Sequence, residues 1–292
     1  MKKAERRCSI YLMYFTKMHG LGNDFILVNG FREDAAAVVK NAKKLCDRHL
    51  GIGADGVILA LPSDKADVKM RVINSDGSEA PMCGNGIRCF ARYVFTRGIV
   101  SKTKMSVETL AGIMKPEIII IDDVIEAVKV DMGHYSLLKK DVPIMGSPDE
   151  EALDLEVEAQ DRKYIATGVS MGNPHCVIFV DNVDGVPLEK VGPILENHPL
   201  FPKKTNVEFI EVKGKDHLKM RVWERGCGLT LACGTGACAS AVAAYKKGIA
   251  GNKVKVSLTV GDLMIEIQDD RRVFMTGPAK EVYSGDIILA GL

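Results

Sequence analysis

The sequence lacks an excess of either charge. Its 292 residues contain 39 Lys and Arg against 38 Asp and Glu, a formal net charge of +1 at pH 7. Proteins that bind nucleic acid or an anionic membrane usually present a basic field. We therefore expect neither as a partner, and we expect a small-molecule ligand instead.

Long apolar runs are also missing. The run from Ile118 to Ile121 is far shorter than the roughly 20 residues that span a bilayer, and it predicts a buried strand. The N-terminus has basic residues ahead of a short apolar stretch, but Glu5 and the lack of a small-residue cleavage site argue against a signal peptide. We expect a soluble, cytoplasmic protein.

No Cys-x-x-Cys pair occurs, and the spacings between neighbouring cysteines do not match those of common zinc sites, so we predict no metal. A chain of this size without an export signal favours reduced thiols over disulfides. The eight cysteines are Cys8, Cys46, Cys83, Cys89, Cys176, Cys227, Cys233 and Cys238.

What the sequence does contain is an internal duplication. MCGNGIRCFARYVFTRG and ACGTGACASAVAAYKKG both begin with a residue followed by Cys-Gly-x-Gly, and their cysteines, Cys83 and Cys233, are 150 positions apart. Because further matches occur at the same offset, we predict two copies of one unit. These matches pair Met70–Gly86 with Met220–Gly236, and Leu21–Val28 with the segment that begins at Met171.

Each copy predicts several strands and one helix. Alternating and β-branched segments, such as VKMRVIN and LKMRVWE, are typical of strands. The helix after the first glycine turn has an apolar face and ends at Gly98, a typical C-terminal cap. That face consists of Ile87, Phe90, Ala91, Val94 and Phe95. We predict an α+β fold of two pseudo-symmetric domains, each a curved sheet around or beside one helix.

The repeated glycine turns predict reactive thiols. A cysteine at the start of a helix lies near unpaired N–H groups and the positive end of the helix dipole, which favour its thiolate. The same N–H groups can hold a carboxylate. The alternative is that each turn only caps a helix and that each cysteine is a small buried apolar residue. Repetition of the whole turn favours the functional interpretation.

Two related units usually pack about a pseudo-twofold axis, so Cys83 and Cys233 are expected to face one ligand from opposite sides. One thiolate then removes a proton from a carbon and the other thiol delivers one, which inverts the centre. His175 and Glu224 break the repeat, because Phe25 and Asn74 stand at their positions in the first copy. They are candidate helpers, although His175 could be a structural histidine and Glu224 could form a surface ion pair.

Six motifs occur in the order KMHGLGNDF, INSDGSE, MCGNGIRCFARY, VSMGNPHCV, WERG and ACGTGACA. They resemble those of the diaminopimelate epimerase family over nearly the whole chain from about Tyr14. The resemblance implies a cofactor-independent isomerase, without pyridoxal phosphate, that converts LL-2,6-diaminopimelate to the meso form in lysine and cell-wall precursor biosynthesis. It also implies a homodimer and strongly curved mixed or antiparallel sheets around central helices.

The resemblance assigns roles to matching positions. It implies that Cys83 and Cys233 are the acid–base pair and that His175 and Glu224 support them. A substrate with an amino acid group at each end needs a second carboxylate receptor, which Arg225 can provide by bidentate pairing. The implied substrate-binding residues are Asn23, Asn74, Gly84, Asn85, Asn173, Asn206, Glu224, Arg225, Gly234 and Thr235.

Three positions depart from the family pattern. Part of the family has a glutamine where this chain has Gly56, which puts a substrate contact there in doubt. Leu229 stands where a glutamate is usual, and Cys227 is an unusual neighbour.

The segment VDMGHYS, Val130–Ser136, is predicted to separate the two copies. The resemblance adds a C-terminal strand that returns to the first unit. The first unit is predicted to cover residues 13–130 with a returning C-terminal strand at 279–292, and the second 131–278. Residues 1–12 are predicted to be an N-terminal extension, with Met13 as a candidate initiator.

The sequence is also compatible with alternative functions. Proline racemases and hydroxyproline epimerases share the two-thiol chemistry, but they typically have His in the first glycine turn, where this chain has Asn85. Phenazine-biosynthesis isomerases lack the paired cysteines. A ligand-binding or thiol-redox protein, with a reversible Cys83–Cys233 disulfide, is the alternative outside enzyme chemistry.

Overall fold

The structure, a computed structural model, describes residues 11–289. These residues divide into two compact units, one up to Glu126 together with the part from Ala279 onward, and the other from Ala127 to Pro278. The predicted extension lies outside the described residues except for its last two positions, and so does Cys8. No helix within 11–289 is long and apolar enough to cross a membrane.

The first unit contains nine strands of its own, the start of a tenth, and two helices. They are β1 (Leu12–Gly20), β2 (Asn23–Asn29), α1 (Ala35–Cys46), β3 (Gly56–Leu61), β4 (Val68–Asn74), β5 (Glu79–Ala80), α2 (Gly84–Thr96), β6 (Val107–Thr109), β7 (Gly112–Met114), β8 (Glu117–Ile121), the start of β9 (Val124–His134) and, from the C-terminus, β19 (Lys280–Ile288).

The sheet of this unit has the order β19-β1-β2-β3-β4-β6-β7, and β5 pairs with β4. Most neighbours are antiparallel, but β2 and β3 are parallel, as are β4 and β6. Helix α2 packs against β1, β2 and β3. Helix α1 packs with the alternate side chains of the same strands, in a core that includes Ile26, Val57 and Leu59. The central strands are therefore buried on both faces.

The second unit contains nine strands and two helices after β9. They are β10 (Leu155–Ala159), β11 (Arg162–Ser170), β12 (Pro174–Phe179), α3 (Leu188–Glu196), β13 (Asn206–Gly214), β14 (His217–Glu224), β15 (Gly228–Thr230), α4 (Gly234–Lys246), β16 (Lys253–Leu258), β17 (Gly261–Ile267) and β18 (Arg272–Gly277).

Its sheet has the order β10-β11-β12-β13-β14-β16-β17-β18-β9-β8, and β15 pairs with β14. Helix α4 packs against β11 to β14 and β16 to β18, so the sheet curves around it. Ten of the 13 residues of α4 are buried, and most of these are small, which lets the strands approach closely. Helix α3 covers the other face through Leu188, Val191 and Leu195.

The duplication predicted from sequence is present in the backbone. Helices α2 and α4 each have 13 residues and begin 150 positions apart, as do β3 and β13. The parallel pairs correspond residue by residue, because Phe25 pairs with Gly56 in the first unit and His175 pairs with Asn206 in the second. The predicted fold class, α+β with two related sheets each curved around a helix, is confirmed.

Two details of the sequence interpretation are wrong. Each unit has a second helix, α1 or α3, where one helix per unit was expected. The isoleucine run does form strand β8, but only Ile118 is buried, while Ile120 and Ile121 are 41% and 56% exposed. The strand reaches a turn at Asp122 and Asp123, where both residues have positive φ and the chain is open to solvent.

The two units divide between Glu126 and Ala127, inside β9. The last four residues of the predicted first unit, 127–130, therefore fall in the second. Strand β19 pairs antiparallel with β1, from Leu12 opposite Ile288 to His19 opposite Lys280.

Candidate active site

Cys83 is the N-cap residue of α2. Its backbone is extended, with φ −139° and ψ 122°, and its sulfur accepts the backbone N–H of Gly86 at 3.4 Å. A cap of this kind satisfies one of the N–H groups that the first turn of a helix leaves without an internal partner. The thiol of Cys83 also lies 3.6 Å from Asn23 Oδ1.

Asn23 is oriented by an ionic cluster in the first unit. Its Nδ2 donates to Asp55 Oδ2 at 2.7 Å, so its Oδ1 is directed to Cys83 and to Asn85 Nδ2, 3.3 Å away. Asp55 is held in turn by the backbone N–H of Asp24 at 3.0 Å and by Arg48 at 2.9 Å. The position of the Asn23 amide beside the Cys83 sulfur therefore depends on Asp55 and Arg48.

Asp24 is the centre of that cluster. Its carboxylate pairs with Lys17 and with Arg48, each at 2.7 Å, and Lys17 also donates to the carbonyl of Gly53. Burial alone would raise the pKa of Asp24, but hydrogen bonds from Arg48 and Lys17 outweigh it and lower that pKa to about 2. Asp24 is therefore ionised at any physiological pH.

Cys233 caps α4 in the same way. Its φ and ψ are −118° and 110°, and its sulfur accepts the N–H of Gly236 at 3.4 Å. The hydroxyl of Thr235 lies 3.5 Å from the same sulfur. Burial raises the pKa of the Cys233 thiol well above its ordinary value, and the nearby carboxyl groups of Glu224 and Glu208 raise it further. In this state Cys233 holds its proton and is equipped to act as an acid.

Glu224 stands beside Cys233. Burial raises its pKa, although hydrogen bonds with Thr230 and Cys233 work in the opposite direction. A raised pKa makes the carboxylate form of Glu224 a stronger base, so that form can accept the proton of the neighbouring thiol when a ligand changes the local charge.

His175 is fully buried on β12. Its Nδ1 lies 2.7 Å from Glu208 Oε1 and its Nε2 lies 3.1 Å from Asn173 Oδ1. The amide of Asn173 then donates to Thr235 Oγ1 at 3.3 Å. A continuous row of hydrogen-bonding groups therefore joins Glu208 to Cys233 within the second unit.

The loop that carries Arg225 is fixed by two buried side chains. Asn206 Oδ1 accepts the backbone N–H of Arg225 at 3.0 Å, and Glu196 Oε1 accepts that of Gly226 at 3.0 Å. Asn206 also donates to the carbonyl of Pro174 at 2.7 Å. The side chain of Arg225 is exposed and donates to the carbonyl of Lys203 at 3.3 Å, so it stands at the surface where a ligand carboxylate can reach it.

The remaining predicted site residues lie at the end of a strand or in the first turn of a helix. Asn74 ends β4 and donates to Ser78 Oγ at 2.9 Å. Asn85 is buried and accepts from Arg88 at 3.0 Å. Gly84 and Gly234 are the first residues of α2 and α4. In the first unit Asn23 and Asn85 therefore lie beside Cys83 at the start of α2. In the second unit Asn173, Glu224 and Thr235 lie beside Cys233 at the start of α4.

Sequence analysis missed the residues that support this arrangement. Asp55, Glu196 and Glu208 orient Asn23, the Arg225 loop and His175, and none belongs to a chemical motif. A signal was available for two of them, since Glu196 and Glu208 correspond by the 150-residue offset to Cys46 and Ile58. The signal is a carboxylate in one copy that aligns with an apolar residue in the other copy.

The structure explains one departure from the family pattern. A Cβ atom at Gly56 would lie 2.8 Å from the carbonyl oxygen of Ile73, so the local backbone excludes a side chain there. Leu229 and Cys227 are both exposed. Nothing in the structure explains these two substitutions.

Comparison with known proteins identifies the family. The sequence model described as Diaminopimelate epimerase matches residues 15–138 and 167–282. The chain belongs to the diaminopimelate epimerase family. It is 52% identical over 276 residues to the diaminopimelate epimerase of Pelotomaculum thermopropionicum, covering 94% of this chain and 98% of that protein. It is also 52% identical over 279 residues to that of Moorella thermoacetica, covering 95% and 100%. The resemblance inferred from the motifs is confirmed.

Similarity to solved structures extends further than this family. The crystal structure of a hydroxyproline epimerase from Agrobacterium vitis superposes with a TM-score of 0.67, covering 99% of this chain and 94% of that one, at 16% identity. Identity this low shows a shared fold and nothing about substrate. Family membership at about half identical residues therefore decides between the diaminopimelate and proline alternatives.

Proposed function

We propose that this chain interconverts LL-2,6-diaminopimelate and meso-2,6-diaminopimelate, without a cofactor, by proton transfer at the α-carbon between Cys83 and Cys233. Epimerisation of diaminopimelate is the activity named for the family to which the chain belongs, so the enzyme is an isomerase. The step from family to mechanism depends on the residues described above.

One observation carries the proposal. Two cysteines at corresponding positions of a duplicated unit each cap a buried helix, and each sulfur accepts an N–H from the first turn. Such N–H groups stabilise negative charge on sulfur and on a nearby substrate carboxylate. A purely structural cap would not require a thiol in both units.

In the proposed reaction one cysteine acts as a thiolate and the other as a thiol. The thiolate takes the α-proton, and the electron pair of the broken C–H bond is delocalised into the adjacent carboxylate. The opposite thiol then donates its proton to the other face of the carbon, and the reverse reaction exchanges the two roles. Hydrogen bonds from the helix N-termini stabilise the negative charge that develops on the carboxylate.

The protonated state of Cys233 supports different starting roles for the two cysteines. Its raised pKa favours the thiol as the starting form, so Cys233 starts as the proton donor and Cys83 as the thiolate. Glu224, whose pKa is also raised, and His175 are proposed to adjust the proton count around Cys233 when the roles reverse. We propose that Arg225 binds the distal carboxylate and that amides bind the two ammonium groups. The proposed substrate contacts are Asn23, Asn74, Gly84, Asn85, Asn173, Asn206, Glu224, Gly234 and Thr235.

Assembly and location complete the proposal. We propose a homodimer in the cytoplasm, where diaminopimelate serves lysine and cell-wall precursor synthesis. Sedimentation of the purified chain checks the first point, since a monomer at assay concentrations would contradict it.

The decisive experiment is epimerisation in D₂O. Purified protein incubated with LL-diaminopimelate should form the meso isomer and incorporate deuterium at the α-carbon. Cys83→Ala and Cys233→Ala should each abolish isomer formation, whereas Cys227→Ala, at an exposed thiol, should not. Full activity in either of the first two variants would refute the two-cysteine mechanism, and inversion of proline instead of diaminopimelate would refute the substrate.

A further inference from the structure

Glu208 is a carboxyl group with no solvent contact. It lies in the middle of β13, between β12 and β14, and both it and His175 are fully buried. Its Oε1 lies 2.7 Å from His175 Nδ1, while its Oε2 has no hydrogen-bond partner among the described residues. Burying a polar atom without a partner costs free energy, so the position needs an explanation.

The first unit shows that the fold itself does not need this carboxyl group. At the corresponding positions, 150 residues earlier, Phe25 stands for His175 and Ile58 stands for Glu208. Both are buried on the corresponding pair of parallel strands. The same backbone arrangement therefore forms around an apolar pair in one unit and around an ionisable pair in the other.

The contacts with the buried helix correspond as well. A Cβ atom on Gly86 of α2 would lie 3.1 Å from Ile58 Cδ1, and a Cβ atom on Gly236 of α4 would lie 2.7 Å from Glu208 Oε1. The Glu208 carboxyl group thus occupies the space that an isoleucine methyl group fills in the first unit. Apolar residues of similar volume often match or exceed the stability of a buried ionisable pair. Stability alone does not account for Glu208.

We propose that Glu208 is a positioning residue for His175, and that it holds the imidazole so that a proton on Nε2 faces Asn173 and supports proton transfer at Cys233. This role for Glu208 rests on the function proposed above. Glu208 does not touch the substrate; it acts through the histidine.

The hydrogen-bond directions follow from the atoms. One proton lies between Glu208 Oε1 and His175 Nδ1, and because Asn173 Oδ1 is an acceptor, Nε2 carries a second proton. The Asn173 amide donates to Thr235 Oγ1, which leaves the hydroxyl hydrogen of Thr235 free to point to the sulfur of Cys233. The row then ends in a donor to sulfur, which stabilises the thiolate formed when Cys233 releases its proton.

Removing Glu208 should disrupt this row of hydrogen bonds. Without a partner at Nδ1 the imidazole is free to adopt either tautomer or to rotate, and Asn173 loses its fixed donor. The Cys233 thiolate then lacks an aligned hydrogen bond at the moment it forms. The predicted defect is in turnover and not in substrate affinity, because no substrate contact is lost.

The test uses a substitution taken from the protein itself. Glu208→Ile introduces the residue of the first unit, and the double variant H175F/E208I reproduces its whole apolar pair. E208I should lower kcat about 10- to 100-fold with KM within about twofold of wild type. E208Q, whose amide can still bond to Nδ1, should retain more activity than E208I. Glu211→Gln, on the same strand but bonded to Lys213, is the matched control and should retain wild-type kinetics.

A second measurement does not depend on activity. In protein labelled with ¹⁵N-histidine, the 2.7 Å pair should give a far-downfield proton resonance and an Nε2 that carries a proton. H175F identifies this signal among the six histidines by its loss. The signal should be absent in E208I and present in E211Q.

The outcomes separate the two proposals. Wild-type kcat in E208I, or an unchanged His175 spectrum in that variant, overturns the positioning role. If E208I does not fold, H175F/E208I and E208Q carry the test, and a folded double variant with wild-type activity also overturns it. A wild-type enzyme that shows the histidine signal but does not epimerise diaminopimelate would instead refute the proposed function.

Discussion

Cys83 and Cys233 hold the same structural position in two copies of one unit. Each is the N-cap of a 13-residue helix, and each sulfur lies 3.4 Å from the N–H of a glycine three residues later. Their surroundings differ, because Cys83 faces the amide of Asn23 while Cys233 faces Thr235 and two carboxyl groups. The two copies therefore hold equivalent thiols in different surroundings.

The first prediction is that Gly86 and Gly236, which lie beside Ile58 and Glu208, tolerate substitution by alanine unequally. At Gly236 a methyl group would meet a buried carboxyl oxygen at 2.7 Å, whereas at Gly86 it would meet the terminal methyl group of Ile58 at the longer distance of 3.1 Å. We expect Gly236→Ala to lower the free energy of unfolding by about 1 to 3 kcal/mol, and Gly86→Ala to lower it less. Chemical denaturation of both variants measures this. Equal losses would show that the space around Glu208 is not tighter than that around Ile58.

Much of this arrangement could be read from the sequence. The offset of 150 and the Cys-Gly-x-Gly turns predicted the duplication and both buried helices, because glycine turns and apolar faces are local signals. Helices α1 and α3 were missed, although Asp34 caps α1 by accepting two backbone N–H groups. Asp55 and Glu208 could not be assigned roles, because their partners Asn23 and His175 are 32 and 33 positions away and only folding brings them together.

The second prediction concerns acid stability and Asp24. Its pKa falls from 3.8 in the unfolded chain to about 2 in the native state, so the native carboxylate adds stability that is complete above about pH 4 and is lost as pH falls toward 2. The shift corresponds to about 2 kcal/mol. Unfolding free energies measured between pH 6 and pH 2 should show this loss in the wild type.

Asp24→Asn provides the control for that measurement. It should be less stable than wild type at pH 6, because Lys17 remains buried opposite a neutral amide. Its stability should fall less between pH 4 and pH 2, since the titrating group is gone. An equal fall in both proteins would mean that Asp24 does not contribute to the acid dependence.

The third prediction concerns alkaline stability and buried thiols. Burial raises the pKa of Cys89 from 9.0 to about 12, so the unfolded chain releases this proton at a pH where the native chain retains it. Stability must therefore fall as pH rises from about 9 toward about 12. At pH 10.5 the loss from Cys89 is about 2 kcal/mol. Cys89→Ala should be less stable than wild type at pH 8 but should lose about 2 kcal/mol less between pH 8 and pH 10.5. Parallel curves would contradict the assignment.

The fourth prediction follows from the proposed two-cysteine mechanism. Mild oxidation should join Cys83 to Cys233, abolish epimerisation and be reversed by a thiol reductant. Cys227 is exposed and could form other disulfides. The experiment is therefore best done in Cys227→Ser, which should start with wild-type activity and inactivate in the same way. Bound substrate should slow inactivation, because it separates the sulfurs.

Mass spectrometry of the non-reduced digest identifies the linked peptides. Activity that survives oxidation in Cys227→Ser, with no Cys83–Cys233 peptide formed, would mean that the two sulfurs do not approach one another and would exclude the two-cysteine mechanism.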